Sequence, residues 1–281
     1  MNTKILTIFT RTPLHVGCGS SVGAVDQPVT RERHTGYPTI PGSSIKGVLA
    51  DLWNENEIRN EDGVRIFGKT DTEDAGAGHV AFGEAKLLAF PVRSAKGCFA
   101  FITCPLALKR FKRDSAQAFD IPAPGNDKLL IANAAKDVLT LEGKTAILEE
   151  YPFEVEFLNN PDLFKALQPL CDDDIWSNLS SRLAIVSDGY FKYFAENTCE
   201  IAQHNRIDDR TGVVDDKALF NQENVPSETL FYSVFHSISR SDLSGFDPFP
   251  LLEEKLRGES NLLQIGADIT TGLGWCSVKF I

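Results

Sequence analysis

No apolar run in this 281-residue sequence approaches the ~20 residues that a membrane-spanning helix needs. The opening MNTKILTIFTRTP lacks the apolar core and small-residue cleavage site of a signal peptide. Its alternation at Ile5, Leu6, Ile8 and Phe9 suits a first strand instead. A cytoplasmic protein with no membrane partner is expected. Paired cysteines are missing as well. Cys18, Cys98, Cys104, Cys171, Cys199 and Cys276 are scattered, with no CxxC and no zinc-ligand spacing. Reduced, mostly buried thiols are expected, and a structural zinc is not.

Positive charge is short too. Lys and Arg number 28 against 39 Asp and Glu, a net charge of -11. Such a chain cannot draw RNA from a distance by its overall field, although a local basic patch can still hold phosphates. The acidic residues gather at Asp71, Glu73 and Asp74, at Asp172 to Asp174, and at Glu253 with Glu254. The stretch from Arg31 to Lys46 has Arg31, Arg33, His34 and Lys46 against Glu32 alone. No Ser/His/Asp or Cys/His constellation is visible in the linear sequence. A P-loop is excluded because Lys46 is followed by Gly47 and the glycine spacing is wrong.

With 42% hydrophobic residues, a core is assured. A strand over about Lys4 to Thr10 runs into the glycine-rich loop HVGCGSSVGAVDQP. Ile45, Val48, Leu49 and Leu52 recur at helical spacing, which predicts a helix from about Ser44 to Asn54 with Ser43 or Ser44 as its N-cap. Residues 56–79 and 114–135 read as loop insertions. Between them HVAFGEAKLLAFPV and KGCFAFITC form a strand pair, followed by a short basic helix opening at Pro105. KTAILEEYPFEVEFL adds strand, and SDGYFKYFAEN is a helix capped by Ser187 with Phe191, Phe194 and Ala195 on one face. RIDDRTGVVDDKALF, about residues 206–220, reads as a projecting hairpin turning at Asp208 to Gly212. ETLFYSVFHSIS is a strand, DPFPLLEEKLRG a helix ending at Gly258, and the tail a strand, a glycine-rich turn and a last strand. This order predicts an α+β fold with one antiparallel sheet and helices on one face, a ferredoxin-like (RRM-type) core with insertions in a single domain over 1–281.

Three stretches are candidates for chemistry. PGSSIKG, with Ser43, Ser44 and Lys46, offers a helix N-terminus and a lysine to a phosphate, or is a plain cap. GADITTGLGW offers an anion nest from Gly266, Gly272 and Gly274 with hydroxyls from Thr270 and Thr271, or is a turn. Asp26, on the loop between glycines and a proline, is a turn former or a functional carboxylate. His15, at the edge of that loop, is structural or functional.

Taken together, PLHVGCGSSVGAVDQPVTRERHTGYPTIPGSSIKG, AKLLAFPVRSAKGCFAFITCPLALKRF, RIDDRTGVVDDKALFNQENVPSETLFYS and LLQIGADITTGLGW resemble the RAMP superfamily of CRISPR-associated proteins. The resemblance is nearest to the backbone subunits of type III-B (Cmr) effector complexes. It implies a filament of copies along one guide RNA, joined by the other subunits of the complex. It implies an RRM-like palm and a thumb hairpin, here about Arg206 to Phe220, that interrupts the guide–target duplex at regular intervals. It further implies endoribonuclease cleavage of the target RNA beside a loop aspartate, Asp26, supported by a divalent metal (Mg or Mn). His15 and Glu223 then join Asp26 as catalytic candidates. Arg31, Arg33, Ser43, Ser44, Lys46 and the C-terminal glycine loop become RNA-binding candidates. The RNA would cut itself with its own 2′-hydroxyl once held in line, so no dense catalytic cluster is needed. Three other readings compete: a non-catalytic guide scaffold, a metal-independent guide-processing RAMP endonuclease centred on His15, and an acidic protein unrelated to RNA whose glycine loops are only turns.

Overall fold

The computed structural model describes residues 2–21, 23–55, 58–69, 76–205, 210, 212–214, 219–238 and 246–281. In chain order its principal elements are β1 (Thr3–Thr10), α1 (Gly42–Asp51), β2 (Val80–Ser94), β3 (Cys98–Thr103), α2 (Pro105–Ser115), β4 (Lys128–Ala132), β5 (Thr145–Leu148) and β6 (Tyr151–Leu158). They continue with β7 (Leu183–Ile185), α3 (Asp188–Asn197), β8 (Glu200–His204), β9 (Phe220–Asn224), β10 (Leu230–Ser237), α4 (Phe249–Gly258), β11 (Leu262–Gln264) and β12 (Trp275–Phe280). The fold is α+β, built on one 11-stranded sheet in the order β5-β6-β4-β7-β3-β2-β10-β1-β12-β11, with Thr39–Ile40 pairing β2 as well.

The sheet is mixed, not wholly antiparallel as expected. β7 runs parallel to β3, and β6 parallel to β4. Around β1 the pairing is antiparallel throughout: β2 with β10, β10 with β1, β1 with β12. Helix α1 lies in the connection from β1 to β2, and α4 in the connection from β10 to β12. The long strand β2 joins the two halves of the sheet. Its first part pairs β10, and its last part, Phe90 to Ser94, pairs β3.

One contiguous buried cluster runs through both halves. Phe9 of β1 and Phe101 of β3 both pack edge-on against Trp176, at centroid distances of 6.0 and 5.0 Å. Trp176 keeps its indole N–H satisfied on the Leu167 carbonyl at 3.1 Å, as a buried Trp must.

Several sequence expectations need correction. Helix α1 begins at Gly42, two residues early, because Pro41 serves as N-cap, and neither serine side chain caps it. It also ends at Asp51 rather than Asn54. The predicted loop 114–135 contains strand β4, which sits inside the sheet with Leu129, Leu130 and Ile131 buried. A strand covered on both faces reads as a continuous apolar run, without the alternation that marks an exposed face. The predicted loop 56–79 contains a helix, Glu61–Phe67, capped by the Asn60 side chain. Cys104, Cys171 and Cys276 are buried as expected, but Cys18 and Cys98 are exposed. Ser187 caps α3 as predicted, accepting from the Tyr190 amide, and Phe191, Phe194 and Ala195 are buried. The hairpin over 206–220 lies mostly outside the described residues. Its root is β8 paired antiparallel with β9.

Candidate functional site

Strand β9 gathers the loops singled out by sequence. The loop carrying Asp26 runs along its edge. Gln27 donates its amide to the Asn221 carbonyl at 3.0 Å, and the Glu223 amide donates to the Gln27 carbonyl at 2.9 Å. This bridge is parallel and sets Gln27 beside Gln222. Asp26 is thereby level with Asn221, and its Oδ2 accepts the Asn221 amide at 2.8 Å. The loop closes on itself through the Ser21 amide and the Asp26 carbonyl, at 2.8 Å. Asp26 is exposed. Its carboxylate is thus oriented by one backbone N–H and still open to solvent.

The other two catalytic candidates face inward. His15 is 5% exposed and Glu223 7% exposed. The imidazole Nδ1 of His15 lies 2.7 Å from the Glu223 carbonyl. The Glu223 carboxylate accepts the Val29 amide on Oε2 at 2.9 Å and the Arg31 guanidinium on Oε1 at 2.5 Å. Arg31 also donates to the carbonyls of Gly36 at 2.7 Å and Ala195 at 2.8 Å, and it approaches the Cys199 sulfur at 3.3 Å. Burial pushes the Cys199 thiol up to about 12, against the opposing pull of the Arg31 charge, so it stays protonated beside the ion pair. The guanidinium is spent inside the protein. A charge held by this many fixed acceptors is a structural clamp between the Asp26 loop, α3 and the hairpin root.

On the other side of β9, Gln222 is 2% exposed. Its amide donates to the Asp268 carboxylate at 2.8 Å and to Asn224 Oδ1 at 3.1 Å. This ties in the C-terminal glycine loop. Gly266 and Gly274 both have positive φ, of 86° and 78°. A Cβ on either would lie 2.2 Å from the His15 carbonyl or 2.0 Å from the Ile265 carbonyl. Both glycines are therefore imposed by close backbone packing. Gly272 also has positive φ but faces open space, and Thr270 and Thr271 are exposed. Thr271 donates its hydroxyl to the Asp268 carbonyl at 2.9 Å, so its lone pairs, not its proton, face outward.

At α1 the first turn presses on β2. A Cβ on Gly42 would lie 2.2 Å from the Phe82 carbonyl. Ser43, Lys46 and Arg33 are exposed and Ser44 is half-buried. Neither Lys46 nor Arg33 forms an ion pair among the described residues. Helix α1 has no acidic residue in its first turn and no side-chain cap, so its amide end and Lys46 present positive potential to solvent.

The acidic charge lies elsewhere. A cleft of about 700 Å³ is lined by Glu149, Glu150, Glu200 and Glu228 together with Arg93 and Tyr193. Four carboxylates make it hostile to a phosphate backbone, so this cleft is not the candidate site. Among the described residues no three His, Cys, Asp or Glu side chains converge on a point that could hold a metal. Sequence reasoning missed the Asn221 amide, Gln222 and Asp268. All three act through contacts distant along the chain, which no local pattern signals.

A family model described as the RAMP superfamily matches residues 7–277. The CRISPR system Cmr endoribonuclease Cmr4 of Pyrococcus furiosus is 35% identical over 287 residues, spanning 99% of this chain and 95% of that protein. The crystal structure of oligomeric Cmr4 from Pyrococcus furiosus superposes with a TM-score of 0.75 at 31% identity, covering 100% of this chain and 98% of that one. A subunit of the type III-B Cmr-beta complex bound to cognate target RNA shares the fold, with a TM-score of 0.75 at 22% identity and coverage of 100% and 97%. The chain belongs to the RAMP superfamily.

Proposed function

We propose that this chain is the repeated backbone subunit of a type III-B CRISPR effector complex, an endoribonuclease that binds guide RNA and cuts the paired target RNA. The observation that carries this reading is the full-length likeness to an endoribonuclease of that complex, joined to an exposed aspartate anchored on the root of a hairpin. The antiparallel set β2-β10-β1-β12, with α1 and α4 in its crossovers, supports a ferredoxin-like palm. The segment beyond the β8–β9 root supplies the thumb, and the continuous core supports a single domain.

In this reading the outward groups touch RNA. Lys46, Ser43 and Ser44 at α1, Arg33 in the turn before it, and Thr270, Thr271 and Gly272 on the C-terminal loop, meet the guide backbone. Gly266 and Gly274 hold that loop in shape. Asp26 faces the target phosphate, with its carboxylate kept in place by the Asn221 amide. His15, Arg31 and Glu223 position the loop from within. Cleavage forms the bond from the 2′-oxygen to phosphorus and breaks the bond to the 5′-oxygen, which needs those atoms in line. Asp26 is the residue that would hold a divalent cation, Mg or Mn. One carboxylate fits an ion that keeps its waters and takes its other ligands from phosphate. When bound, such an ion stabilises charge on the phosphoryl oxygens. Base pairing selects the target and the protein reads backbone and shape.

The test is cleavage of a labelled target RNA by the complex assembled on a matching guide, with Mg²⁺ and with EDTA. A ladder of evenly spaced products that vanishes in EDTA is expected. No products in either condition would leave the chain as a guide scaffold, and full activity in EDTA would favour a metal-independent nuclease.

A further inference from the structure

We propose that His204 and Phe220 form a nucleobase platform at the hairpin root, holding the base next to the phosphate that faces Asp26. The proposal rests on the nuclease reading above. The two residues are a cross-strand pair of β8 and β9. Their rings lie nearly parallel, 5.1 Å apart at 15°. Both residues are half-buried, so the slab is braced by the protein and still reaches solvent.

Its location is set by the same strand that holds Asp26. Phe220 directly precedes Asn221, whose amide donates to the Asp26 carboxylate. The Gln27–Gln222 bridge keeps the two segments side by side. On β9, Phe220 shares its face with Gln222 and Asn224 two and four residues on. Gln222 is pinned to Asp268. The slab therefore stands on an immobile base.

The imidazole is not there to hydrogen-bond through both nitrogens. His204 Nε2 is sealed from solvent with no hydrogen-bond partner among the described residues. A buried, unpaired nitrogen costs stability, and such a group calls for an explanation beyond stability. A ring kept for its face supplies one.

The reaction creates the need. In-line attack requires one nucleotide to leave its helical stack, and the freed base loses its neighbours. Stacking on an aromatic ring recovers roughly tenfold per base and tolerates any base, because every base has a π-face. A platform of this kind suits a protein that leaves sequence reading to the guide.

The experiment uses the assembled complex and target RNAs with a single abasic nucleotide placed on either side of one cleaved bond. For the wild type, one of the two abasic positions should slow cleavage of that bond roughly tenfold. Phe220→Leu should slow the natural target by a similar factor, be insensitive to the abasic change, and be rescued by Phe220→Trp. His204→Ala provides a second variant should Phe220→Leu fail to assemble, and guide binding is measured for each. Equal abasic sensitivity in wild type and variants, or no rescue by Trp, would overturn the platform alone. Absence of cleavage by the wild-type complex would overturn the platform and the nuclease reading together.

Discussion

The two glycine-rich loops look alike in sequence and are held in opposite ways. In the C-terminal loop the backbone itself is the constraint. Gly266 and Gly274 sit where a Cβ would strike a carbonyl oxygen, and both have positive φ. In the N-terminal loop Gly19 has positive φ of 96° but nothing within 4 Å of its Cβ position, and a Cβ on Gly17 would meet the His15 ring, at 2.6 Å. That loop is held by hydrogen bonds instead, through Asp26, Gln27 and Val29 onto β9. A loop locked by sterics supports its surroundings. A loop tethered at one edge is open at the other, and the exposed Asp26 carboxylate is found there.

Substitutions can break this contrast. Gly274→Ala should destabilise the fold most, by about 3 kcal/mol or more, since it adds a backbone clash to left-handed strain. Gly19→Ala should cost only about 1 kcal/mol. Denaturant unfolding of both would show equal losses if the contrast were wrong. Glu223→Gln keeps an acceptor for the Val29 amide but strands the Arg31 charge, and should cost about 3 kcal/mol. A melting temperature unchanged by that substitution would remove the clamp from the account.

Lys46→Ala should leave stability alone and lower the slope of guide binding against salt by about 1, as the loss of one phosphate contact does. A salt slope equal to that of the wild type would take Lys46 off the guide surface. The smallest effect belongs to Glu200, which is exposed on the wall of the acidic cleft. Desolvation raises its carboxyl pKa above 4.5. A raised folded value means the ionised group weighs against the fold. Wild-type stability should gain as pH falls through that raised value toward 4.5. Glu200→Gln should therefore be slightly more stable at pH 7, with the gain gone below pH 4.5. Thermal melts across that window check the sign.

How much was legible in sequence follows from which contacts are local. Ser187 capping α3, the aromatic strand at residues 230–237 and the turn between β2 and β3 are settled by neighbours in the chain, and they were read correctly. Strand β4 was not, because its short apolar run follows the Pro- and Gly-rich stretch from Pro122 to Gly125 and carries no alternation. Asp26 was singled out through family resemblance. Its anchor was not, since Asn221 is 195 residues away. Arg31 shows the same limit from the other side. A basic residue in a basic stretch suggests phosphate binding, yet Glu223, 192 residues distant, draws its guanidinium inside.

The central claim is that Asp26 is the cleaving residue and β9 its holder. The measurement is target-RNA cleavage by complexes assembled with wild type and with Asp26→Asn, at matched guide occupancy. The account predicts unchanged assembly and target binding, and a loss of cleavage of at least about 100-fold, the usual scale for removing a group that acts on the reacting atoms. Cleavage at the wild-type rate by the Asp26→Asn complex would contradict it and send the chemistry to another residue or subunit.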